Sequence, residues 1–405
     1  MTFTGKRILL GVSGGIAVYK AAEVVRRLVS AGAAVKVVMT RSAREFVGPL
    51  TFQALTGQPV ATRMFGKGSE PLEHISLGQE VDAIVLAPAT ANLIGKLAAG
   101  ISDDLLTTAL LAATRPILVC PAMNDQMWAN PVVQENLGRL KARGVQVMEP
   151  EAGPLACGAV GQGRLPEPET VVEALARLVS PQDLAGRRVL VTAGPTHEDL
   201  DPVRFLTNRS TGKQGYAVAR VAWRRGAQVC LVSGPSALPA PYGVERIMVW
   251  SAKDMFEALK VRFEKADALL MAAAVGDYRP TRMETQKIKR GSGEVQFQLA
   301  PNPDILKELS KLKVKQVVVG FAADTEDLMA EARRKLVYKD LDLIVANDVT
   351  RPQSGFAVDT NEVTIFAREG IPQRLPLLTK EEVAERLLDR LVQLWALREG
   401  GAAGG

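Results

Sequence analysis

Two glycine-rich turns are the residues of this sequence best suited to binding a phosphate group. The first, Gly11 to Ile16, and the second, around Gly194, each follow a short apolar run. Each belongs to a strand–turn–helix–strand pattern, over residues 6–40 and 187–233. Main-chain N–H groups at the carboxyl end of a parallel strand and at the next helix start favour an anionic ligand. The first turn lacks the complete GxGxxG signature. The repeated pattern nevertheless predicts two phosphate-bearing ligands and two active sites.

Neutral side-chain donors follow the next predicted strand of the first half. Strand 81–87 (VDAIVLA) runs into residues 88–92 (PATAN). In a doubly wound sheet this places the hydroxyl of Thr90 and the carboxamide of Asn92 beside the first turn. Such donors suit a flavin phosphate or the edge of a flavin ring. Either residue is also typical of a helix N-cap, and the pentapeptide alone leaves both interpretations open.

Two side chains of the first half could transfer protons. His74 is the only residue there whose ordinary pKa lies near neutrality. Cys157 lies in a Gly- and Pro-rich segment, residues 155–168, typical of a loop that can close over a site, where a thiol can donate a proton. A lone histidine is also common on a surface, and a loop cysteine is often incidental. These residues alone do not decide between the alternatives.

The elements that must position these side chains alternate between strand and helix throughout. In the first half, further predicted elements are the strand 116–120 and the helices 103–113, 131–143 and 170–178. In the second half they are the strands 228–233, 268–273, 316–321 and 342–346, and the helices 252–264, 304–312, 326–338 and 380–397. The alternation predicts an α/β fold of two doubly wound, Rossmann-like domains with largely parallel sheets. Residues 180–183 (SPQD) mark the boundary, which gives domains 1–182 and 183–399 and a flexible tail, 400–405.

The composition fits two globular domains. The 405 residues exceed what one hydrophobic core usually serves, and 47% hydrophobic and 23% charged residues are ordinary proportions. The net charge of +6 comes from interspersed signs, which predicts anion-binding spots on a solvated surface and does not support nucleic-acid binding. Three cysteines without CxxC spacing and no signal-peptide pattern predict a cytoplasmic protein. No apolar stretch is long enough to span a bilayer.

Five features of the first half together resemble the flavin-dependent decarboxylases of peptidyl-cysteine and phosphopantothenoylcysteine. They are GVSGGIAVYK (11–20), His74, PATAN (88–92), PAMNDQMW (121–128) and the Cys157 loop. The resemblance implies a flavodoxin-like fold, FMN as cofactor, and His74 and Cys157 as catalytic residues. It implies substrate binding by Met123 and Asn124. The implied FMN contacts are Ser13, Gly14, Gly15, Ile16, Thr40, Thr90, Ala91 and Asn92.

The second half resembles the phosphopantothenate–cysteine ligases, so that the resemblance to bacterial bifunctional coenzyme A biosynthesis proteins covers nearly the whole chain. The matching motifs are GPT (194–196), DPVRF (201–205), NRSTG (208–212), AAAVGDY (272–278) and KIK (287–289). The resemblance implies Arg204 and Asn208 as catalytic residues and Asp277 as the ligand of Mg²⁺. The implied contacts with CTP are Ala273, Ala274, Asp277, Lys287, Asn302, Pro303, Asp304, Ile305, Phe321, Lys335 and Lys339.

These residue types suit the activation of a carboxylate by a nucleoside triphosphate. Lysines and a metal-holding carboxylate neutralise the triphosphate and the charge that develops at phosphorus. Lys335 and Lys339 stand four residues apart on a predicted helix and project from one face. Without the resemblance, this spacing would favour a solvated helix face. The sequence has no Walker A motif, so a P-loop ATPase is excluded. Asn208 is expected at a helix N-terminus, where the phosphate and the acyl carbonyl of an acyl-cytidylate converge.

The resemblance implies two consecutive reactions. Phosphopantothenate and CTP give an acyl-cytidylate, cysteine displaces CMP, and the cysteinyl product then loses CO₂ through FMN-dependent oxidation, with Cys157 returning a proton. The implied partners are phosphopantothenate, cysteine and CTP, with no nucleic acid and no membrane. Trimeric contacts of the first domain and dimeric contacts of the second imply a homo-oligomer, a dodecamer. One alternative is a flavin-containing regulatory subunit, which the retained His74 and Cys157 and the complete ligase half oppose. A second alternative is a monofunctional ligase with a degenerate first domain.

Overall fold

In the computed structural model the chain forms two compact units, Met1–Ser180 and Pro181–Gly405, called here the N-terminal and C-terminal units. The structure describes residues 3–65, 72–156, 158, 160–290, 294–324, 328–348, 355 and 358–402. Within these residues no helix is both long and apolar enough to cross a membrane.

The N-terminal unit is built on a five-stranded parallel sheet. Its strands are β1 (Arg7–Val12), β2 (Ala34–Met39), β3 (Ala83–Ala89), β4 (Ile117–Pro121) and β5 (Gln146–Val147). They lie in the order β2-β1-β3-β4-β5, the doubly wound order of flavodoxin-like proteins. Every residue of β3 is buried. Val85 packs into the core on one face and Ile84 and Leu86 into the core on the other, which explains the continuous apolar run in the sequence.

Helices cover both faces of this sheet. They are α1 (Val18–Ser30), α2 (Pro49–Thr56), α3 (Glu73–Gln79), α4 (Ala91–Ala99), α5 (Leu105–Leu111), α6 (Asp125–Ala129), α7 (Pro131–Ala142) and α8 (Pro168–Val179). An antiparallel hairpin, β6 (Glu151–Pro154) and β7 (Val160–Arg164), follows β5. Asp104 starts α5 with a capping box, its carboxylate accepting the N–H of Thr107 at 2.8 Å.

The C-terminal unit has an eight-stranded sheet in the order β12-β11-β8-β13-β16-β17-β19-β20. These strands are β8 (Arg188–Ala193), β11 (Gln228–Ser233), β12 (Glu245–Met248), β13 (Ala268–Met271), β16 (Val317–Asp324), β17 (Leu343–Asp348), β19 (Val363–Ala367) and β20 (Gln373–Arg374). The first six in spatial order are parallel, and β19 and β20 add an antiparallel edge. Among the described residues of this unit, three two-stranded ribbons lie outside the sheet: β9 (His197–Asp199) with β10 (Phe205–Thr207), β14 (Tyr278–Pro280) with β15 (Leu299–Pro301), and β18 (Thr360–Asn361) with β21 (Leu378–Thr379).

The helices of this unit are α9 (Lys213–Arg224), α10 (Ala252–Phe263), α11 (Ile305–Ser310), α12 (Leu328–Tyr338) and α13 (Lys380–Ala402). Arg225, with a side chain only 3% exposed, joins the first residues of the unit to α13. Its Nε donates to Asp183 at 2.9 Å and its Nη1 to Asp389 at 2.7 Å. A buried guanidinium needs such carboxylate partners, because an unpaired charge in the core is strongly unfavourable.

The fold class predicted from the sequence is confirmed: both units are doubly wound α/β folds with largely parallel sheets. The antiparallel edge strands β19 and β20 were not predicted. The last helix also differs from the prediction, since α13 continues to Ala402 and includes residues that were assigned to the flexible tail. A helix once formed gains a hydrogen bond for each added residue, so Gly400 and Gly401 do not end it.

Candidate active sites

Ser13 connects the first glycine turn to the end of the neighbouring strand β3. Its hydroxyl donates to the carbonyl of Pro88 at 2.7 Å and accepts the main-chain N–H of Thr90 at 2.9 Å. The two side-chain oxygens lie 3.2 Å apart, and the Ser13 side chain is buried. The turn after β1 and the PATAN segment are therefore one connected rim at the carboxyl ends of two adjacent parallel strands.

Gly14 lies where no side chain fits. A Cβ at this position would lie 2.3 Å from the Cβ of Ser42. At Gly15 the nearest atom to a Cβ would be the Cγ2 of Thr90, at 3.6 Å. Thr40 closes the same region: its N–H donates to Val12 at 3.0 Å, and its hydroxyl accepts the N–H of Ala43. The predicted FMN residues 13–16, 40 and 90–92 thus lie at neighbouring strand ends.

Thr90 is the N-cap of α4, and its hydroxyl accepts the N–H of Leu93 at 3.4 Å. This observation supports the capping interpretation for Thr90, and the cap leaves its hydroxyl on the same rim as Ser13. Ala91 is the first residue of α4. Asn92 is exposed, as is Ile16, which is 61% accessible. An exposed side chain at a strand end is available to a ligand.

Met123 and Asn124 follow β4. The N–H of Met123 donates to Gly163 in β7 at 3.0 Å, which fixes the hairpin β6–β7 to the end of β4. Asn124 is the N-cap of α6, with its Oδ1 accepting the N–H of Gln126 at 2.9 Å. The two predicted substrate residues therefore lie at the next strand end along the sheet.

His74 is half-buried in the first turn of α3. That helix packs against α5, where Gly78 closely approaches the carbonyl of Ala109. Within the residues that the structure describes, no hydrogen bond joins His74 to the rim of Ser13 and Thr90. Cys157 lies outside the described residues, so its predicted place in a closing loop stays a prediction. Cys120, in β4, is fully buried, and burial raises the pKa of its thiol.

The C-terminal unit contains a cavity of about 450 Å³, which is within the usual range for a small-molecule site. It opens at the carboxyl ends of β13 and β16 and beside the start of α9. All the residues predicted to contact CTP line it except Lys287. The predicted residues in the lining are Ala273, Ala274, Asp277, Asn302, Pro303, Asp304, Ile305, Phe321, Lys335 and Lys339, together with the predicted catalytic residue Asn208.

The cavity wall is held by the second glycine turn. The N–H of Ala274 donates to Gly194 at 2.9 Å, and the N–H of Gly276 donates to the hydroxyl of Thr196 at 2.9 Å. The hydroxyl of Thr192, in β8, accepts the N–H of Ala273 at 3.0 Å. The GPT and AAAVGD motifs are thus two sides of one backbone arrangement at adjacent strand ends.

Asn302 and Asp304 connect this wall to two helices. Asn302 donates from Nδ2 to the carbonyl of Gly276 at 2.8 Å. Asp304 caps α11 and pairs with the ammonium of Lys339 at 3.0 Å. Lys335, on α12, lies 3.5 Å from Glu331. Lys335 and Lys339 both line the cavity, which favours a binding role over a solvated helix face, and Lys339 lies one residue beyond the end of α12.

Asn208 was expected at a helix N-terminus, and this expectation is wrong. It lies in the loop between β10 and α9, and α9 begins at Lys213. Its carboxamide donates to the carbonyls of Ala274 and Val275, both at 3.1 Å. The NRSTG segment needs several residues to turn from the ribbon into the helix, which places Asn208 against the cavity wall.

Arg204 and Lys287 do not line the cavity, although the family resemblance implies a role for both in ligation. Lys287 is exposed, and Arg204 donates from Nη1 to the carbonyl of Ile288 at 3.1 Å. The structure therefore brings these two segments together at a place beside the cavity.

Six polar residues of the lining were not predicted as contacts: Ser210, Lys213, Gln214, Asn347, Asn361 and Lys380. Lys213 follows the glycine of NRSTG at the start of α9, which is a local signal that could have identified it. Lys380 is contributed by the last helix and has no such signal. It is only 5% exposed and donates to the carbonyl of Gly355 at 2.9 Å. Burial, and to a lesser degree the charge of Lys213, lower the pKa of Lys380 to about 8.

Comparison with known proteins finds two family models. The Flavoprotein model matches residues 2–180, and the model of the DNA/pantothenate metabolism flavoprotein C-terminal domain matches residues 184–394. The coenzyme A biosynthesis bifunctional protein CoaBC of Bacillus subtilis (strain 168) is 48% identical over 395 residues, 96% of this chain and 97% of that protein. CoaBC of Escherichia coli (strain K12) is 44% identical over 398 residues, 97% of this chain and 98% of that protein. A crystal structure of the C-terminal domain of CoaBC is 42% identical and covers 53% of this chain and 98% of its own, with a TM-score of 0.46.

The fold, the two sites and the two matched models define a two-domain flavoprotein enzyme. The chain belongs to the family of bifunctional coenzyme A biosynthesis proteins, because relatives of that name match it at 44–48% identity over nearly its whole length. The resemblance inferred from the motifs is therefore confirmed.

Proposed function

We propose that this chain catalyses two consecutive steps of coenzyme A biosynthesis. The C-terminal unit joins 4'-phosphopantothenate to cysteine with CTP and Mg²⁺, and the N-terminal unit decarboxylates the product to 4'-phosphopantetheine with FMN. The cavity of the C-terminal unit supports this most directly, because it gathers Asn208 and nearly all the predicted CTP residues at adjacent strand ends. The family membership supports the pairing of the two activities.

In the ligation, an oxygen of the phosphopantothenate carboxylate attacks the α-phosphorus of CTP and pyrophosphate leaves. The amine of cysteine then attacks the acyl carbonyl, and CMP leaves as the amide forms. Lys335 and Lys339 are suited to neutralise the triphosphate, because both ammonium groups belong to the cavity wall. Asn208 donates hydrogen bonds to the carbonyls of Ala274 and Val275 and so holds the part of the cavity wall against which the acyl-nucleotide would bind.

The residues present fit a magnesium ion that is shared with the substrate. Among the described residues no group of three or more His, Cys, Asp or Glu side chains could hold a metal ion. Mg²⁺ commonly takes one or two protein carboxylates and completes its shell with substrate phosphates and water. Asp277 in the cavity wall supplies such a carboxylate, whereas Asp304 is paired with Lys339.

The N-terminal unit fits FMN. Ser13 and Thr90 join the ends of β1 and β3 into one polar rim, beside the close approach at Gly14. FMN held there would supply the reversible two-electron chemistry that the oxidation of the cysteinyl thiol and the later reduction require. Asn124 would bind the carboxylate that is lost, and His74 would assist its loss. Cys157 would donate the proton that completes the product.

A single reconstitution tests both activities. Purified protein is incubated with phosphopantothenate, cysteine, CTP and Mg²⁺, and pyrophosphate, CMP, CO₂ and phosphopantetheine are measured beside the flavin released on denaturation. All four products in equal amounts are expected, with less turnover when ATP replaces CTP. Bound flavin without turnover would favour a regulatory subunit. Ligation without CO₂ would favour a ligase with a degenerate first domain.

The oligomeric state and the cellular location follow the same proposal. Trimers formed by the N-terminal units and dimers formed by the C-terminal units would combine into a dodecamer in the cytoplasm. Size-exclusion chromatography with light scattering measures the mass of the assembly. The mass of a single chain would overturn the proposed dodecamer and would leave both proposed reactions unaffected.

A further inference from the structure

Asp201, in the DPVRF motif, is a buried carboxylate with three main-chain donors. Its Oδ1 accepts the N–H groups of Val203 at 2.7 Å and Arg204 at 2.8 Å. Its Oδ2 accepts the N–H of Ile288 at 3.0 Å, across a long stretch of sequence. The residue is only 1% exposed. Burial opposes ionisation, but these donors and Arg204 outweigh it and hold the pKa of Asp201 below its ordinary value.

Ile288 is held on both of its main-chain groups. Asp201 takes its N–H, and Arg204 donates to its carbonyl at 3.1 Å, with the guanidinium 3.6 Å from the Asp201 carboxylate. A further main-chain bond, from Glu284 to Leu200 at 2.9 Å, ties the same two segments together. Lys287 and Lys289, on either side of the half-buried Ile288, are exposed.

Both anchored segments lead into the cavity wall. The Arg204 loop continues through β10 to Asn208, which lines the cavity. The Lys287 segment follows Asp277 and β14, and β14 packs beside β9. One carboxylate therefore ties a segment with two exposed lysines, neither of which is in the cavity lining, to a loop that leads into the cavity wall.

We propose that Asp201 is a positioning residue of ligation, which holds the segment Lys287-Ile288-Lys289 against the Arg204 loop so that Lys287 is presented to the triphosphate of the bound nucleotide. This inference rests on the proposed ligase function. It assigns to Asp201 a role that acts through Ile288 and Arg204, with no contact to the substrate.

The test compares Asp201→Asn with the wild-type protein by trypsin cleavage and by ligation kinetics. Loss of the anchor should speed cleavage after Lys289 and Arg290 about 10-fold, since a hydrogen bond to a charged group is typically worth that much or more. CTP and Mg²⁺ should slow this cleavage in the wild type and much less in the variant. The KM for CTP should rise about 10-fold, with kcat reduced less. Asp199→Asn is the matched control, because Asp199 lies two residues earlier and bonds to Trp250 instead.

A second variant leaves the buried carboxylate in place. Ile288→Pro removes the N–H that Asp201 accepts, together with the half-buried Ile side chain and the free φ rotation at this position. It should reproduce both the faster cleavage after Lys289 and Arg290 and the higher KM for CTP. Unchanged cleavage and unchanged KM in both variants would overturn the proposal, as would a uniform loss of melting temperature and kcat with the KM for CTP intact. Absence of ligation in the wild type would overturn the proposed function alone, because the cleavage comparison does not depend on activity.

Discussion

The hydroxyl of Ser13 accepts the N–H of Thr90 at 2.9 Å and so joins the carboxyl ends of β1 and β3. Replacing Ser13 by Ala removes this acceptor and leaves a half-buried N–H without its partner, which typically costs about 1–3 kcal/mol. We expect FMN affinity to fall about 10-fold or more, measured by quenching of flavin fluorescence. The exposed Ser102, replaced by Ala, serves as control and should bind FMN normally. Equal affinity in both variants would remove Ser13 from the flavin site.

Gly14→Ala should abolish FMN binding. The added Cβ would overlap Ser42 at 2.3 Å and push the turn away from its position. The purified variant should be colourless but should still ligate phosphopantothenate to cysteine, because the C-terminal unit has its own core. Gly48→Ala is the control, since no heavy atom of the described residues, apart from those of its two chain neighbours, lies within 4 Å of a Cβ there. A yellow Gly14→Ala protein with normal flavin content would contradict the assignment.

His74→Asn should stop CO₂ release from supplied phosphopantothenoylcysteine and leave CTP-dependent ligation intact. The expected loss is about 10²–10⁴-fold, the usual contribution of an acid–base group. Gln79→Ala, at the other end of α3, controls for changes in that helix. If decarboxylation continues at a similar rate in His74→Asn, the histidine is a surface residue without a catalytic role.

Asn208→Asp should impair amide formation more than nucleotide binding. The new carboxylate would face the carbonyls of Ala274 and Val275, to which the amide now donates, and would add a negative charge beside the anionic intermediate. Acyl-cytidylate should therefore accumulate in a rapid-quench experiment with labelled phosphopantothenate, CTP and Mg²⁺, followed by cysteine. If CTP binds more weakly but the fraction of acyl-cytidylate that goes on to form the amide is unchanged, Asn208 belongs to the nucleotide site only.

Lys380 should give the C-terminal unit a distinctive pH dependence. Its pKa is about 8 in the folded chain, so between that pH and the ordinary lysine pKa near 10.4 the unfolded state binds more protons. The stability contributed by this group therefore rises with pH through that window and is constant below it. Melting temperatures of the wild type and Lys380→Met are compared from pH 7 to 10. The melting temperature of the wild type should rise relative to that of the variant as the pH increases above about 8. Parallel curves would show that Lys380 titrates normally.

The apolar runs made the sheets predictable from the sequence. A strand buried on both faces, such as β3, has few polar positions, and the glycines at strand ends mark where a ligand can approach. The lining of the C-terminal cavity was also largely predictable, because its residues lie in compact motifs at those strand ends. The family resemblance, and not periodicity, supplied the roles of these residues.

Other features could not be predicted, because they depend on contacts between distant segments. The edge strand β20 has only two residues and carries no apolar pattern of its own. Lys380 reaches the cavity from the last helix, and the hydrogen bond between Asp201 and Ile288 joins the β9–β10 connection to the β14–β15 connection. In each case the local sequence is that of an ordinary polar surface, and only the tertiary fold gives it a place in or beside the site.

Arg225 contacts Asp183, close to where the C-terminal unit begins, and Asp389 in its last helix. Arg187, just before β8, also pairs with Glu399 near the end of α13, so the two ends of this part of the chain lie near each other. A domain whose ends lie close together can be fused to another protein, or circularly permuted at one of its loops, without distorting its sheet. Circular permutants that join 183 to the end of α13 through a short linker should retain the fold, and natural fusions and separations of such a module require no rebuilding of its core.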